Sequence, residues 1–118
     1  SHQIELQKVA LSGHRQFFFG SDSAPHLKKA KFTEFCCAGV YSTKYAISNI
    51  LEFFWLNKKT VNLNKFLTIN GSNHYDLDFD KKVLSYKRNK KSKFQKFTKF
   101  EDDFLINYNH YNNLWTLV

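Results

Sequence analysis

The 118-residue sequence is long enough for one ordinary domain, and it carries 18 Lys and Arg against 10 Asp and Glu, a formal net charge of +8. That charge permits polyanion binding. However, the basic residues are scattered except between Lys81 and Lys99, and Lys, Asn, Phe, Tyr and Ile are abundant together, so composition argues against a dedicated nucleic-acid surface. No apolar run reaches the 18 residues of a spanning helix, and the first residues have neither the basic flank nor the apolar core of a signal peptide.

The chain starts at Ser1 and contains no methionine, which leads one to expect a fragment, a processed piece or a truncated sequence. Cys36 and Cys37 are adjacent and cannot easily bridge each other, which makes a reducing cytoplasm the simplest compartment.

In chain order, residues 3–12 place Leu6, Val9 and Ala10 on one face, with Gly13 as a C-terminal stop, and predict an amphipathic helix. A short link then reaches Gln16–Phe19. Its continuous apolarity predicts a parallel strand covered on both faces. The strand would stop at Gly20 and deliver Asp22 and His26 at its C-terminal end, where the active sites of (β/α)₈ barrels gather. A complete barrel needs roughly 250 residues, so this chain can supply only part of one.

Residues 27–34 predict a polar loop leading to Cys36-Cys37-Ala38-Gly39. The clearest helix follows, with Ile47, Ile50, Leu51 and Phe54 at i, i+3, i+4 and i+7 and Trp55 widening the stripe; Asn57-Lys58-Lys59 ends it. A shorter helix is predicted from an Asn62 N-cap, with Leu63, Phe66 and Leu67 on one face and a stop at Asn70-Gly71. Asp78 and Asp80 flank Phe79, and Val83-Leu84 run to Tyr86, which predicts short strands or coil. Lys87 to Lys99 reads as a solvated basic loop, and Leu114–Val118 as a terminal strand docked on the body.

The chemistry-bearing residues each admit two readings. Asp22 can ligate a metal or act as a general base, or simply cap a turn within Ser-Asp-Ser-Ala-Pro. His26 can bind an anion or a metal, or be an ordinary surface histidine. The cysteine pair lacks the spacing of a zinc site and reads as packing. Ala38-Gly39, small residues before a helix, allow backbone N–H groups to approach a carboxylate or phosphate. His74 and Tyr75 read as packing or surface groups.

Gly20-Ser21-Asp22-Ser23-Ala24-Pro25-His26 resembles the Gly-[Thr/Ser]-Asp-Ser-Ala-Pro-His segment of the eighth barrel strand in the shorter bacterial dihydroorotases of the amidohydrolase superfamily. Cys37-Ala38-Gly39 resembles that family's Cys-Ala-Gly, and Asn70-Gly71 with Tyr75-Asp76-Leu77 resembles its Val-Asn-Gly…Tyr-Gly-Leu region. His2-Gln3 through Gly13 looks like the helix before strand eight, and Trp115 like the tryptophan of the last strand. The likeness is strong over residues 2–77 and weak over 78–118.

The resemblance implies an α/β fold: the C-terminal part of a (β/α)₈ TIM barrel, with residues 1–77 as its last helix–strand–helix units and residues 78–118 as a packed extension of short strands and coil. It implies reversible cyclisation of N-carbamoyl-L-aspartate to L-dihydroorotate in pyrimidine biosynthesis, with a zinc pair that polarises the carbonyl and activates a hydroxide. Asp22 is then a zinc ligand that also shuttles the proton, and His26 and the Ala38 amide bind the substrate carboxylate. The family's other zinc ligands lie on earlier strands and have no counterpart here. The 118 residues alone are therefore expected to be inactive until joined to the N-terminal barrel portion, in a homodimer without membrane or specific nucleic-acid partners.

The sequence departs from the family at Phe35-Cys36 (usually Cys-Gly), at Phe32 after Lys31 (often Glu), at Lys44 (usually Pro) and around Asn109 to Asn113 (usually containing Ala-Gly-Glu). Two other functions stand beside the enzyme: a dihydroorotase-like structural or regulatory partner that has lost catalysis, and a basic nucleic-acid-binding fragment.

Overall fold

The computed structural model describes residues 1–78 and 81–118, so the predicted Asp78-Phe79-Asp80 stretch lies partly outside the described residues. The fold is α/β with small sheets. Helices α1 (His2–Leu11), α2 (Lys28–Lys31) and α3 (Ala46–Leu56) precede a mixed helical stretch. That stretch begins as a 3₁₀ turn at Thr60–Asn62, widens to a π-helix at Lys65–Ile69 and ends as α4 (Asn70–His74). Strands β1 (Tyr86–Asn89), β2 (Phe97–Phe100), β3 (Asp103–Ile106) and β4 (Leu114–Leu117) follow.

The four strands form two separate antiparallel pairs, with the β2–β3 hairpin nested between β1 and β4. Tyr86 pairs with Leu117 and Asn89 with Leu114, while Phe97 pairs with Ile106 and Phe100 with Asp103.

Helix α3 is the centre of the molecule, as its periodicity predicts. Its buried residues are Ala46, Ser48, Leu51, Glu52 and Phe54, so two polar side chains share the inner face while Ile47 and Ile50 are only half-buried. The fully buried Phe54 packs on Phe66, with ring centroids 5.4 Å apart. Beyond Asn57, Lys58 takes φ +55, and the Lys58 and Lys59 amides donate to Trp55 O and Phe54 O. This left-handed C-terminal cap explains why Asn57-Lys58-Lys59 ends the helix without a glycine.

Glu52 is 0 % exposed. It accepts Arg88 Nε at 2.8 Å and Nη2 at 2.6 Å, Asn113 Nδ2 at 2.8 Å and Trp115 Nε1 at 2.8 Å. A buried carboxylate needs this many donors to offset its lost hydration. Hydrogen bonding from the Arg88 guanidinium, reinforced by Asn113 and Trp115 against the opposing effect of burial, lowers the Glu52 pKa to about 2. Burial pushes the Tyr111 phenol up, and the Glu52 and Tyr108 charges add to it. The Trp115 amide also donates to Ser48 Oγ at 2.8 Å, so β4 is fastened to α3 twice.

Five expectations are corrected. Gln16–Phe19 is not a strand: residues 17–20 are unpaired coil with one tertiary backbone bond, from the Phe19 amide to Phe66 O at 2.9 Å. A parallel strand needs neighbouring strands, and none of the four described strands flanks this segment. That bond accompanies the π-helical turn, in which the Asn70 amide donates to Lys65 O and Phe66 O is taken from outside the helix.

Second, α1 forms as predicted but buries nothing; Leu6 is 68 % exposed. Third, Asn62 does not cap its helix. Its Nδ2 donates to Leu11 O at 2.8 Å, while buried Asn70 reaches His14 O and Phe17 O, both at 3.0 Å, and the helix continues past Gly71 to His74. There Asp76, at φ +52, closes it with the Leu77 amide on Ser72 O.

Fourth, Lys87–Lys99 holds β1 and β2 rather than a solvated loop. The group that β1 turns inward is Arg88, paired with Glu52, so the strand carries no apolar alternation to read. Fifth, residues 27–34, expected as loop, contain the single turn α2.

The apolar core is thin. Among the described residues its buried hydrophobic members are Ala46, Leu51 and Phe54, and the Cα radius of gyration is 16.0 Å. A compact domain of this length has roughly 13–14 Å, so the chain is more extended than an ordinary domain of its size.

Candidate active site

Two loops and the β2–β3 hairpin come together beside the Asp22–His26 segment. The Ala24 amide donates to Val40 O at 2.9 Å, Ser42 N donates to Ser23 Oγ at 3.2 Å, and Ser42 Oγ donates to Ser21 O at 3.1 Å. Gly39 is at φ +96, and a Cβ there would sit 2.5 Å from Ala24 Cβ, so only glycine permits this approach. The hairpin closes the far side through bridges from Leu27 to Leu105 and from Tyr41 to Asn107, and through the Tyr108 amide on Tyr41 O at 2.8 Å.

A cavity of about 120 Å³ lies between these pieces, lined by His26, Lys31, Gly39, Tyr41, Asn107 and Tyr108 among others. Asn107, 5 % exposed, holds the hairpin side: its Nδ2 donates to Gln95 O at 2.7 Å and its Oδ1 accepts Thr98 Oγ1 at 3.0 Å.

Asp22 lies outside this cavity, exposed, at φ +47, with no hydrogen bond or ion pair among the described residues. The Asp22 side chain therefore caps no turn among the described residues. His26 lines the cavity and is half-buried. Ala38 is exposed, does not line the cavity, and its amide has no hydrogen-bond partner among the described residues.

The structure thus puts His26 in the cavity and leaves Asp22 and Ala38 exposed outside it. No group of three or more His, Cys, Asp or Glu among the described residues could hold a metal ion. Both cysteines are free; Cys36 is exposed rather than packed, and Cys37 is half-buried. His74 and Tyr75 stack on each other and on Phe18, with centroids 4.8, 5.2 and 5.7 Å apart.

Sequence reasoning missed Tyr41, Asn107 and Tyr108 as cavity residues. Asn107 sits among five other asparagines between Asn64 and Asn113 that have no shared role, so composition concealed it.

No family model matches the chain. A curated protein of Jannaschia sp. (strain CCS1) named dihydroorotase is 46 % identical over 77 residues, covering 65 % of this chain and 22 % of that protein. The dihydroorotase of Buchnera aphidicola subsp. Schizaphis graminum is 33 % identical over 84 residues, 71 % of this chain and 24 % of that protein. The crystal structure of dihydroorotase from Saccharomyces cerevisiae, in complex with 5-fluoroorotic acid, matches with a TM-score of 0.82 at 31 % identity, over 98 % of this chain and 34 % of that one.

The likeness is to the dihydroorotases, in sequence and in fold.

The dihydroorotase from Campylobacter jejuni agrees, with a TM-score of 0.76 at 31 % identity over 98 % of this chain and 32 % of that one. Identity near one third across almost the whole chain joins residues 78–118 to the likeness, although their motifs resemble dihydroorotases only weakly. The chain spans about a quarter of the length of its curated dihydroorotase relatives and about a third of the solved dihydroorotase chains. Among the described residues, no helix is long and apolar enough to cross a membrane.

Proposed function

We propose that this chain is the C-terminal segment of a dihydroorotase, which interconverts L-dihydroorotate and N-carbamoyl-L-aspartate. The observation that carries the reading is the fold match to the yeast dihydroorotase over 98 % of the chain, with Gly20–His26 and Cys37–Gly39 kept intact. Residues 1–77 are then the last helix–strand–helix units of the barrel, with Gln16–Phe19 pairing as its eighth strand once neighbouring strands are present, and residues 78–118 are the extension packed on them. The homodimeric state and cytoplasmic location of the complete protein belong to the same proposal.

Asp22 fits a metal: an exposed carboxylate at a loop bend, with no partner among the described residues. Its fellow ligands would come from the barrel portion upstream. Zinc, when bound, supplies Lewis-acid polarisation of the cyclic-amide carbonyl and a lowered pKa for the attacking water. In the hydrolytic direction the water oxygen adds to that carbonyl carbon and the ring C–N bond breaks. Asp22 accepts the proton from the water and delivers it to the departing ring nitrogen. His26 and the Ala38 N–H hold the substrate carboxylate and fix the ring against Asp22.

The test is the complete protein, purified and assayed for zinc content and for dihydroorotate turnover. Saturable turnover with two zinc ions per subunit is expected. A folded, zinc-loaded protein that leaves dihydroorotate untouched would return the chain to the reading of a partner that has lost catalysis.

A further inference from the structure

Lys31, the last residue of α2, donates from Nζ to Cys37 O at 2.5 Å and to Gly39 O at 2.8 Å, the carbonyls on either side of Ala38. It is half-buried and has no carboxylate partner among the described residues. The neighbouring Lys28 and Lys29 are exposed and reach neither carbonyl.

The Cys37 carbonyl and the Ala38 N–H belong to one planar trans peptide, in which C=O and N–H point in opposite directions. Anchoring the oxygen on the ammonium therefore turns the N–H away from Lys31. A cation on the oxygen also polarises the peptide and strengthens its N–H as a donor. The second bond, to Gly39 O two residues on, holds the chain beyond Ala38, where Gly39 is packed against Ala24 in the segment that carries Asp22 and His26.

We propose that Lys31 is a positioning residue: with Nζ bonded to the Cys37 and Gly39 carbonyls, it fixes and polarises the Cys37–Ala38 peptide, so that the Ala38 N–H serves as a ready donor to the carboxylate of an anionic ligand. This rests on the role given to Ala38 under the proposed function. It also gives the lone Lys31 charge a purpose that an exposed lysine of α2 lacks.

The complete protein carrying this segment provides the test, with 5-fluoroorotic acid as probe in calorimetry and dihydroorotate in steady-state kinetics. Lys31→Met is expected to weaken probe binding and to raise KM by about tenfold, the equivalent of ~1.4 kcal/mol. The kcat value should stay within about twofold, because the chemistry itself is not touched. Lys31→Arg keeps the cation and should bind the probe more tightly than Lys31→Met, though less tightly than the unchanged protein, because a planar guanidinium does not reproduce the ammonium's geometry.

Unchanged binding by Lys31→Met overturns the proposal, as does an Arg variant as weak as the Met variant. A Met loss that disappears at high salt also overturns it, because that marks direct charge contact with the ligand. If the Met variant does not fold, Lys31→Gln, too short to reach either carbonyl, replaces it with the same outcomes.

His26→Ala separates the two readings. Weakened binding in His26→Ala alongside normal binding in Lys31→Met refutes the clamp and leaves the functional reading standing. A folded, unsubstituted protein that neither binds the probe nor turns over dihydroorotate refutes both.

Discussion

Glu52 and Arg88 meet as a two-pronged ion pair, Nε to Oε2 at 2.8 Å and Nη2 to Oε1 at 2.6 Å, joining the middle of α3 to the middle of β1. The glutamate is wholly buried and its two oxygens also take Asn113 and Trp115. The pair therefore ties the helix to both strands of the β1–β4 sheet.

Removing Glu52 should be costly, because it takes away the shared acceptor of the half-buried Arg88 and of Asn113 and Trp115. Glu52→Ala is expected to destabilise the complete protein by about 3 kcal/mol or more. Urea unfolding followed by tryptophan fluorescence checks this, since Trp115 loses its acceptor. A midpoint within error of the unchanged protein would show that the sheet is held by packing alone.

The same pair sets an acid limit. Glu52 titrates near 2 when folded, below its ordinary 4.5. Its contribution is therefore fully present above pH 4.5 and is lost as pH falls toward 2, because the unfolded chain binds more protons in that window. Urea midpoints measured from pH 6 down to pH 2 should fall through that window, and the fall should be smaller in Glu52→Gln. Equal slopes in the two proteins would remove Glu52 as the cause.

Asp22→Asn keeps size and polarity while removing the charge and the proton-accepting ability of the carboxylate. In the complete protein it should lower kcat by about 10²–10⁴-fold, the usual range for a lost general base, and reduce bound zinc. Near-normal turnover with full zinc would assign proton transfer to another residue.

Gly39→Ala forces a Cβ to within 2.5 Å of Ala24 Cβ and places a side chain at φ +96. A cost of roughly 1–3 kcal/mol is expected, read as a lower melting temperature and a raised KM for dihydroorotate. Gly20→Ala is the control: nothing lies within 4 Å of its Cβ position, so its melting temperature should barely move.

The isolated 118-residue chain should unfold without a sharp transition. The three buried apolar residues among the described residues cannot offset the conformational entropy of ordering the whole chain, and none of the described strands pairs with residues 17–20. Calorimetry checks this, and a sharp heat-absorption peak would contradict it.

What could be read from the sequence followed local pattern. The apolar repeat of α3 was legible because helix and burial share one period, and the Asp22–His26 segment because a short motif survives whatever surrounds it. The terminal strand was legible from its apolar patch. Three other features depended on distant residues. Phe17 to Phe19 look like a strand because they are apolar, but strand pairing needs neighbours that this chain lacks. Strand β1 was hidden because its inward residue is a charge satisfied by Glu52, 36 positions away. Asn62 and Asn70 bond to carbonyls more than 50 positions away, and no local rule anticipates that.

The nested arrangement of the strands also sets an order of events during synthesis. Helix α3 and β1 leave the ribosome before β4, so Glu52 meets Arg88 while two of its acceptor positions still wait for Asn113 and Trp115. Until the hairpin between them has been made, β1 has no partner strand and its edge is open to any extended chain nearby. The vulnerable moment for this protein is thus the interval between the appearance of Asn89 and that of Leu114. A stall or nick in that interval would leave an unpaired strand attached to an otherwise formed helix.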